Sequence, residues 1–270
     1  MNMIWIGLML FVCTTTAAVV VLAMRRKKAR IRQQMQGLHL LRNLRFLLSE
    51  LQQHRGLSSG WLNGATELDS KIRKLQGDIT RQKSDASRSS LWLAGNARWL
   101  SIIDHWQRLE AGFNDLELDQ NIKQHNALIQ SLLYLIDDMA QSHDLLLINV
   151  KGKPLNFAWR ELLIAAECVG QLRAMGTAVA ASGECSVVSR IRLNYLCQKI
   201  DSATTTAWQT MPPQHEHKQK LIDLNHYVAH TIIQREQAAN AENYFALATE
   251  AIEGIYNQFD QAIDSARRLS

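Results

Sequence analysis

Alternate steps of three and four residues from Leu41 meet Leu44, Leu48, Leu51, Arg55, Ser58 and Leu62, an inward-facing helical line that is apolar except at Arg55 and Ser58. The same stepping from Trp159 meets Leu162, Ala166, Val169, Arg173, Gly176 and Ala180. Patterns of this period predict eight helices after residue 33, near 36–62, 66–86, 88–114, 119–148, 157–182, 186–209, 215–238 and 241–267. "NVKGKPLN", Asn149 to Asn156, is the clearest break, with Gly152 and Pro154 between two long helical patterns. Short connections between long helices imply antiparallel neighbours. The expected fold is therefore all-α: an N-terminal transmembrane helix followed by two up-down four-helix bundles. The boundaries fall at 1–33 for the anchor and its basic flank, 34–150 for the first bundle and 151–270 for the second. Trp92, Trp99 and Trp106 recur every seven residues and read as core or interface packing.

The segment Met3 to Met24 carries no charged residue and is long enough, at about 1.5 Å per residue, to cross a hydrocarbon core of roughly 30 Å. "RRKKARIR" (Arg25 to Arg32) follows it without an acid. The positive-inside rule then predicts a single-pass protein of the inner (cytoplasmic) membrane with its soluble part in the cytoplasm. Membrane contact is expected through Met3–Met24. The chain has 270 residues, 47% hydrophobic and 20% charged, which suits a large core. Its net charge of +5 is local to the basic cluster, and the remainder is close to neutral, so no nucleic-acid partner is indicated. Cys13, Cys168, Cys185 and Cys197 show no CxxC spacing and read as reduced thiols rather than metal ligands or disulfides. "HEH" at His215–His217 lacks the helix-face spacing of a zinc site, and no catalytic residues, metal or cofactor are assigned. An enzyme is not expected.

Arg55 and Arg173 are the candidate chemistry. The helix neighbours of Arg55 are Leu51, Gln52, Ser58 and Ser59; those of Arg173 are Val169, Gly170, Gly176 and Thr177. Neither has a carboxylate within helical reach, and an unpaired buried charge costs several kcal/mol. Three compensators fit: an acid from another helix (Asp104, Asp137, Asp138 or Glu167), snorkelling to the bundle end, or a small anion held by the guanidinium forks. Gly56, Ser58, Ser59 and Gly60 around one arginine, and Gly170, Gly176, Thr177 and Ala178 around the other, leave volume and hydroxyl donors for an anion.

"LQQHRGLSSGWL", "AAECVGQLRAMGTAVAASGE" and "NYFALATEAIEGIYNQFD" together resemble the nitrate- and nitrite-sensing (NIT) domain over roughly residues 38 to 268. The resemblance implies two four-helix bundles with nitrate or nitrite between them, bound by arginines. Arg55 matches the arginine of the first-helix "RG" motif and Arg173 that of the fifth-helix motif. His54 stands where some members have a second arginine, making that charge conditional on pH. Arg235 is the candidate for a further arginine, with Ser58 and Thr177 as hydroxyl donors. The implied function is a membrane-anchored cytoplasmic sensor that signals by conformational change to an unidentified output protein, with homodimerisation compatible with such signalling. The alternative is a non-sensing membrane-anchored helical scaffold, in which both arginines pair with internal acids.

Overall fold

The computed structural model describes residues 2–235 and 238–269, with side chains for these apart from 2–8, 10, 12 and 269. Its first element, α1, is one uninterrupted helix from Asn2 to Leu62. The expected anchor, basic cluster and first bundle helix are therefore continuous. No proline or glycine stands between Met24 and Gly37, and the intervening Arg, Lys, Gln and Ala residues are good helix formers. The described side chains of the expected anchor segment, among them Phe11, Val19, Val20 and Leu22, are exposed, and burial starts at Gln34 and Leu38. α1 ends where Gly64 takes φ +101°. There Ala65 N–H bonds to Gly60 C=O at 3.1 Å and Gly64 N–H to Trp61 C=O at 2.9 Å. This paired closure satisfies carbonyls that the last turn would otherwise leave open, and it depends on glycine at the left-handed position.

α2 (Asp69–Ser89) follows, and the helix expected over 88–114 is split into α3 (Leu91–Ala94) and α4 (Ala97–Gly112). The split has a local cause. Ser90 Oγ accepts from Leu93 N–H at 3.2 Å, and Asn96 Oδ1 accepts from Trp99 N–H at 3.1 Å, so two side chains each open a new helix. The tryptophan series straddles this break, with Trp99 and Trp106 fully buried on α4. α5 (Leu118–Ser142) leads into two short strands, β1 (Asn149–Val150) and β2 (Lys153–Pro154), paired antiparallel. Lys151 and Gly152 both have positive φ, as a two-residue hairpin turn of this hand requires. A wide π-type turn over Ala158–Leu162 opens α6 (Leu163–Ser182); α7 (Val187–Thr210) follows. α8 (His215–Tyr227) ends in a second wide turn, Val228–Ile233, and α9 (Ala241–Leu269) closes the chain. Residues 236–237, at the end of the expected seventh helix, lie outside the described residues.

Packing falls into two sets. α1 lies against α2 and α5, with α4 on α5; α6 lies against α7 and α9, with α8 on α9. α1 also touches α6 and α9, joining the sets. Both predicted inner lines are buried: Leu41, Leu44, Leu48 and Leu51 on one, Trp159, Leu162, Ala166 and Val169 on the other. α9 runs antiparallel to α1, because Arg42 meets Asp264 at 3.3 Å, Arg45 meets Asp260, and Gln52 meets Tyr256 further along. Among the described residues, Ala158–Ser182 is long and apolar enough to cross a membrane, but 61% of its most apolar window is buried inside the protein, which marks a core helix.

Candidate functional site

Arg55 projects from α1 toward α6 and is 1% exposed. Its Nη1 donates to Glu167 Oε1 at 2.6 Å and to Asn126 Oδ1 at 2.5 Å; Nη2 donates to Glu167 Oε2 at 3.3 Å. The carboxylate is held in turn. Gln52 Nε2 donates to its Oε2 and Gln171 Nε2 to its Oε1, both at 2.8 Å, and Tyr256 O–H donates to Gln52 Oε1 at 2.7 Å. A Cβ at Gly170 would stand 2.8 Å from Arg55 Nη2, so a bare backbone is what admits the guanidinium to α6. Of the four acids weighed from sequence, Glu167 is the one that meets Arg55.

Arg173 is placed differently. It is 7% exposed, its Nη1 donates to Thr249 Oγ1 at 2.9 Å, and its guanidinium carbon lies 4.8 Å from the centre of the Phe245 ring. No carboxylate forms an ion pair with it among the described residues. Burial pushes it down to about 10, and the positive charge of Arg55 pushes the same way. Arg55 and Arg173 line one cleft of about 700 Å³ between α1, α6 and α9, with Ser59, Thr177, Thr249 and Tyr256 also on its walls. Thr177 Oγ1 is buried there with no hydrogen-bond partner among the described residues. A Cβ at Gly56 would meet nothing within 4 Å, so that glycine widens the cleft. Gly176 does something else: a Cβ there would lie 2.3 Å from the Tyr244 ring, whose hydroxyl donates to Leu172 C=O at 2.7 Å.

His54 turns away from the cleft into the core formed with α2, α4 and α5. His125 Nδ1 lies 2.8 Å from Asn121 C=O, an acceptor, so that nitrogen carries the proton. His125 Nε2 then accepts from His54 Nδ1–H at 2.8 Å, and His54 Nε2 accepts from Gln76 Nε2 at 3.2 Å. Both rings are thus held neutral in one chain of donors. Burial lowers His54 to about 4 and His125 to about 3, the latter helped by His54 and Arg55. The expected conditional charge beside Arg55 is therefore absent near neutrality: consecutive helix residues point about 100° apart, and His54 has no free acceptor. Ser58 is also buried on this side, accepting from Asn121 Nδ2 at 3.0 Å. Arg235, at φ +60°, lines a separate cavity of about 390 Å³ with Val179, Gly183 and Thr231, not the cleft of Arg55 and Arg173. Of the six residues expected at the site, the structure brings together Arg55, Arg173 and Thr177. Sequence reasoning missed Thr249, Phe245, Tyr256 and Gln52. The first three sit at steps of four and seven along one face of α9, a period that could have singled them out.

The family of nitrate and nitrite sensing matches residues 47–267. The chain belongs to this family. The match runs from Leu47 on α1 to Arg267 near the end of α9, and so contains every residue of the cleft. In fold, the chain is similar to the structure of the NasR transcription antiterminator, with a TM-score of 0.68 and 19% identity over 94% of this chain and 74% of that one. No curated protein matches the chain.

Proposed function

We propose that this NIT-family chain is a membrane-anchored sensor that binds nitrate or nitrite in the cleft between α1, α6 and α9, at the junction of two four-helix bundles. The observation that carries the reading is Arg173: a buried guanidinium without a carboxylate, facing the same cleft as Arg55 and the unpartnered Thr177 hydroxyl. A planar, singly charged oxyanion offers acceptors in the geometry a guanidinium fork matches. Thr177 and Thr249 are placed to add neutral hydrogen bonds. The scaffold alternative requires a carboxylate on each arginine, and that condition holds for Arg55 but not for Arg173.

The anion brings a negative charge to the place where Arg55 and Arg173 oppose one another. Its binding favours the packing in which α6 and α9 close on α1. α1 carries that change to the segment Met3–Met24, which we assign to the inner membrane with the body in the cytoplasm, and from there or from the helical body to an output partner. Isothermal titration of the full chain in detergent with nitrate, nitrite, chloride and sulfate tests the proposal. Saturable heat with nitrate or nitrite, lost in Arg173→Ala, supports it; no such heat in the wild-type chain removes it.

A further inference from the structure

The charged side chains on the cleft walls, among the described residues, are Arg55, Arg173, Lys71 and Glu253. Lys71 and Glu253 are exposed and of opposite sign, and water screens both. The unscreened charge is set by Arg55, Arg173 and the carboxylate of Glu167, which contacts Arg55 from outside the lining of the cleft. Every other group that fastens the Arg55–Glu167 pair is a neutral amide: Asn126, Gln52 and Gln171. Two buried positive charges and one buried negative charge leave a surplus of one.

Building on the proposed anion site, we infer that Glu167 is a specificity-determining residue: it neutralises Arg55 and thereby restricts the cleft to singly charged anions. A monoanion beside Arg173 brings the buried charge to balance. A dianion of similar size leaves an uncompensated negative charge, whose desolvation the site cannot offset. Glu167 is positioned for this role in a way that a surface acid is not. Its two oxygens are committed to Arg55 and Gln52 of α1 and to Gln171 of its own helix α6, and it is 5% exposed, so its charge is not diluted by solvent.

The test is titration of the full chain in detergent with nitrate and with sulfate, in the wild type, Glu167→Gln, Arg55→Met and the double variant Arg55→Met/Glu167→Met. Glutamine keeps an acceptor for Arg55 but removes the charge. Glu167→Gln is expected to raise the ratio of sulfate to nitrate affinity by about tenfold or more. Arg55→Met, which leaves the Glu167 charge alone, is expected to lose nitrate binding by about tenfold or more, and the double variant to recover part of that loss. An unchanged sulfate-to-nitrate ratio in a folded Glu167→Gln overturns the inference while leaving the nitrate site standing. Should Glu167→Gln fail to fold by circular dichroism, the double variant decides, and binding no better than in Arg55→Met overturns it. Absence of nitrate binding in the wild type is a different result and removes the proposed site itself.

Discussion

The guanidinium of Arg55 and the backbone of Gly170 touch at a spacing that excludes even a methyl group, a Cβ there falling 2.8 Å from Nη2. α1 and α6 are fastened through this contact, because the arginine reaches Glu167 only across that glycine. Arg55 is pinned by Glu167 and Asn126 and cannot simply swing aside. Gly170→Ala is therefore expected to lower stability by about 1–3 kcal/mol, despite the gain in helix propensity. In an Arg55→Met background the same change is expected to be neutral or stabilising. Chemical denaturation of the four proteins of this cycle checks it; an equal penalty in both backgrounds refutes the contact.

Arg173 leads to the opposite kind of prediction. Its charge is buried without an ionic partner, so its removal relieves a desolvation cost. Arg173→Met is expected to melt at the wild-type temperature or a few degrees above it in nitrate-free buffer. The wild type should gain about 2.7 kcal/mol of stability at nitrate one hundredfold above Kd, and the variant none. Thermal unfolding with and without nitrate measures both effects.

The histidine chain makes stability depend on acid. In the unfolded chain His54 and His125 take protons near 6.5, whereas in the fold they do so only near 4 and 3. Between those values the unfolded state binds more protons, so stability rises with pH. Their contribution is complete above about pH 6.5 and is lost as pH falls toward 4. His54→Gln should flatten that slope, read from melting temperature against pH. Nitrate affinity between pH 6 and 8 should not follow His54, because the ring faces away from the cleft.

Gly176 joins α6 to α9 as Gly170 joins α6 to α1. A methyl group there would enter the Tyr244 ring, which is buried and tied to Leu172 C=O. Gly176→Ala is expected to cost about 1–3 kcal/mol and to weaken nitrate binding by moving Thr249 on α9 relative to Arg173. Tyr244→Phe should cost about 1 kcal/mol through the lost hydrogen bond alone. Gly176→Ala with wild-type stability would contradict the packing.

Membrane attachment is checked by truncation. Gln33 and Gln34 donate to Ser142 C=O and Asp144 C=O at 2.7 and 3.0 Å, so the body begins near there. A chain starting at Lys28 should leave the membrane fraction and lose only the helix signal of the removed residues, while the full chain sediments with membranes. Sedimentation of the truncated chain with the membranes counts against the anchor.

The helical line of α1, with Arg55 inside it, was legible because burial and a period of 3.6 are local properties. The partner of Arg55 was not, since Glu167 lies 112 residues away and no local spacing encodes which of several acids a folded helix will meet. His54 shows the converse: the family resemblance implied a place for it beside Arg55 in the site, but a step of one residue turns a helical side chain toward a different neighbour. Small residues were legible as a cluster and ambiguous as a cause. Gly170 admits an arginine, Gly176 a tyrosine, and Gly56 opens the cleft. The break between α3 and α4 depended on the cap Asn96, as the start of α3 did on Ser90, and the regular tryptophan spacing concealed both.

Because α1 has no joint between Arg55 and Met24, those two points are the ends of a rod roughly 45 Å long. A rod transmits a turn or a tilt without dissipating it in a hinge. In the proposed sensor, a small shift of the guanidinium as the cleft fills reaches the lipid boundary as rotation of the cationic collar Arg25–Arg32, so the surface that reports the anion need not lie near the pocket that captures it.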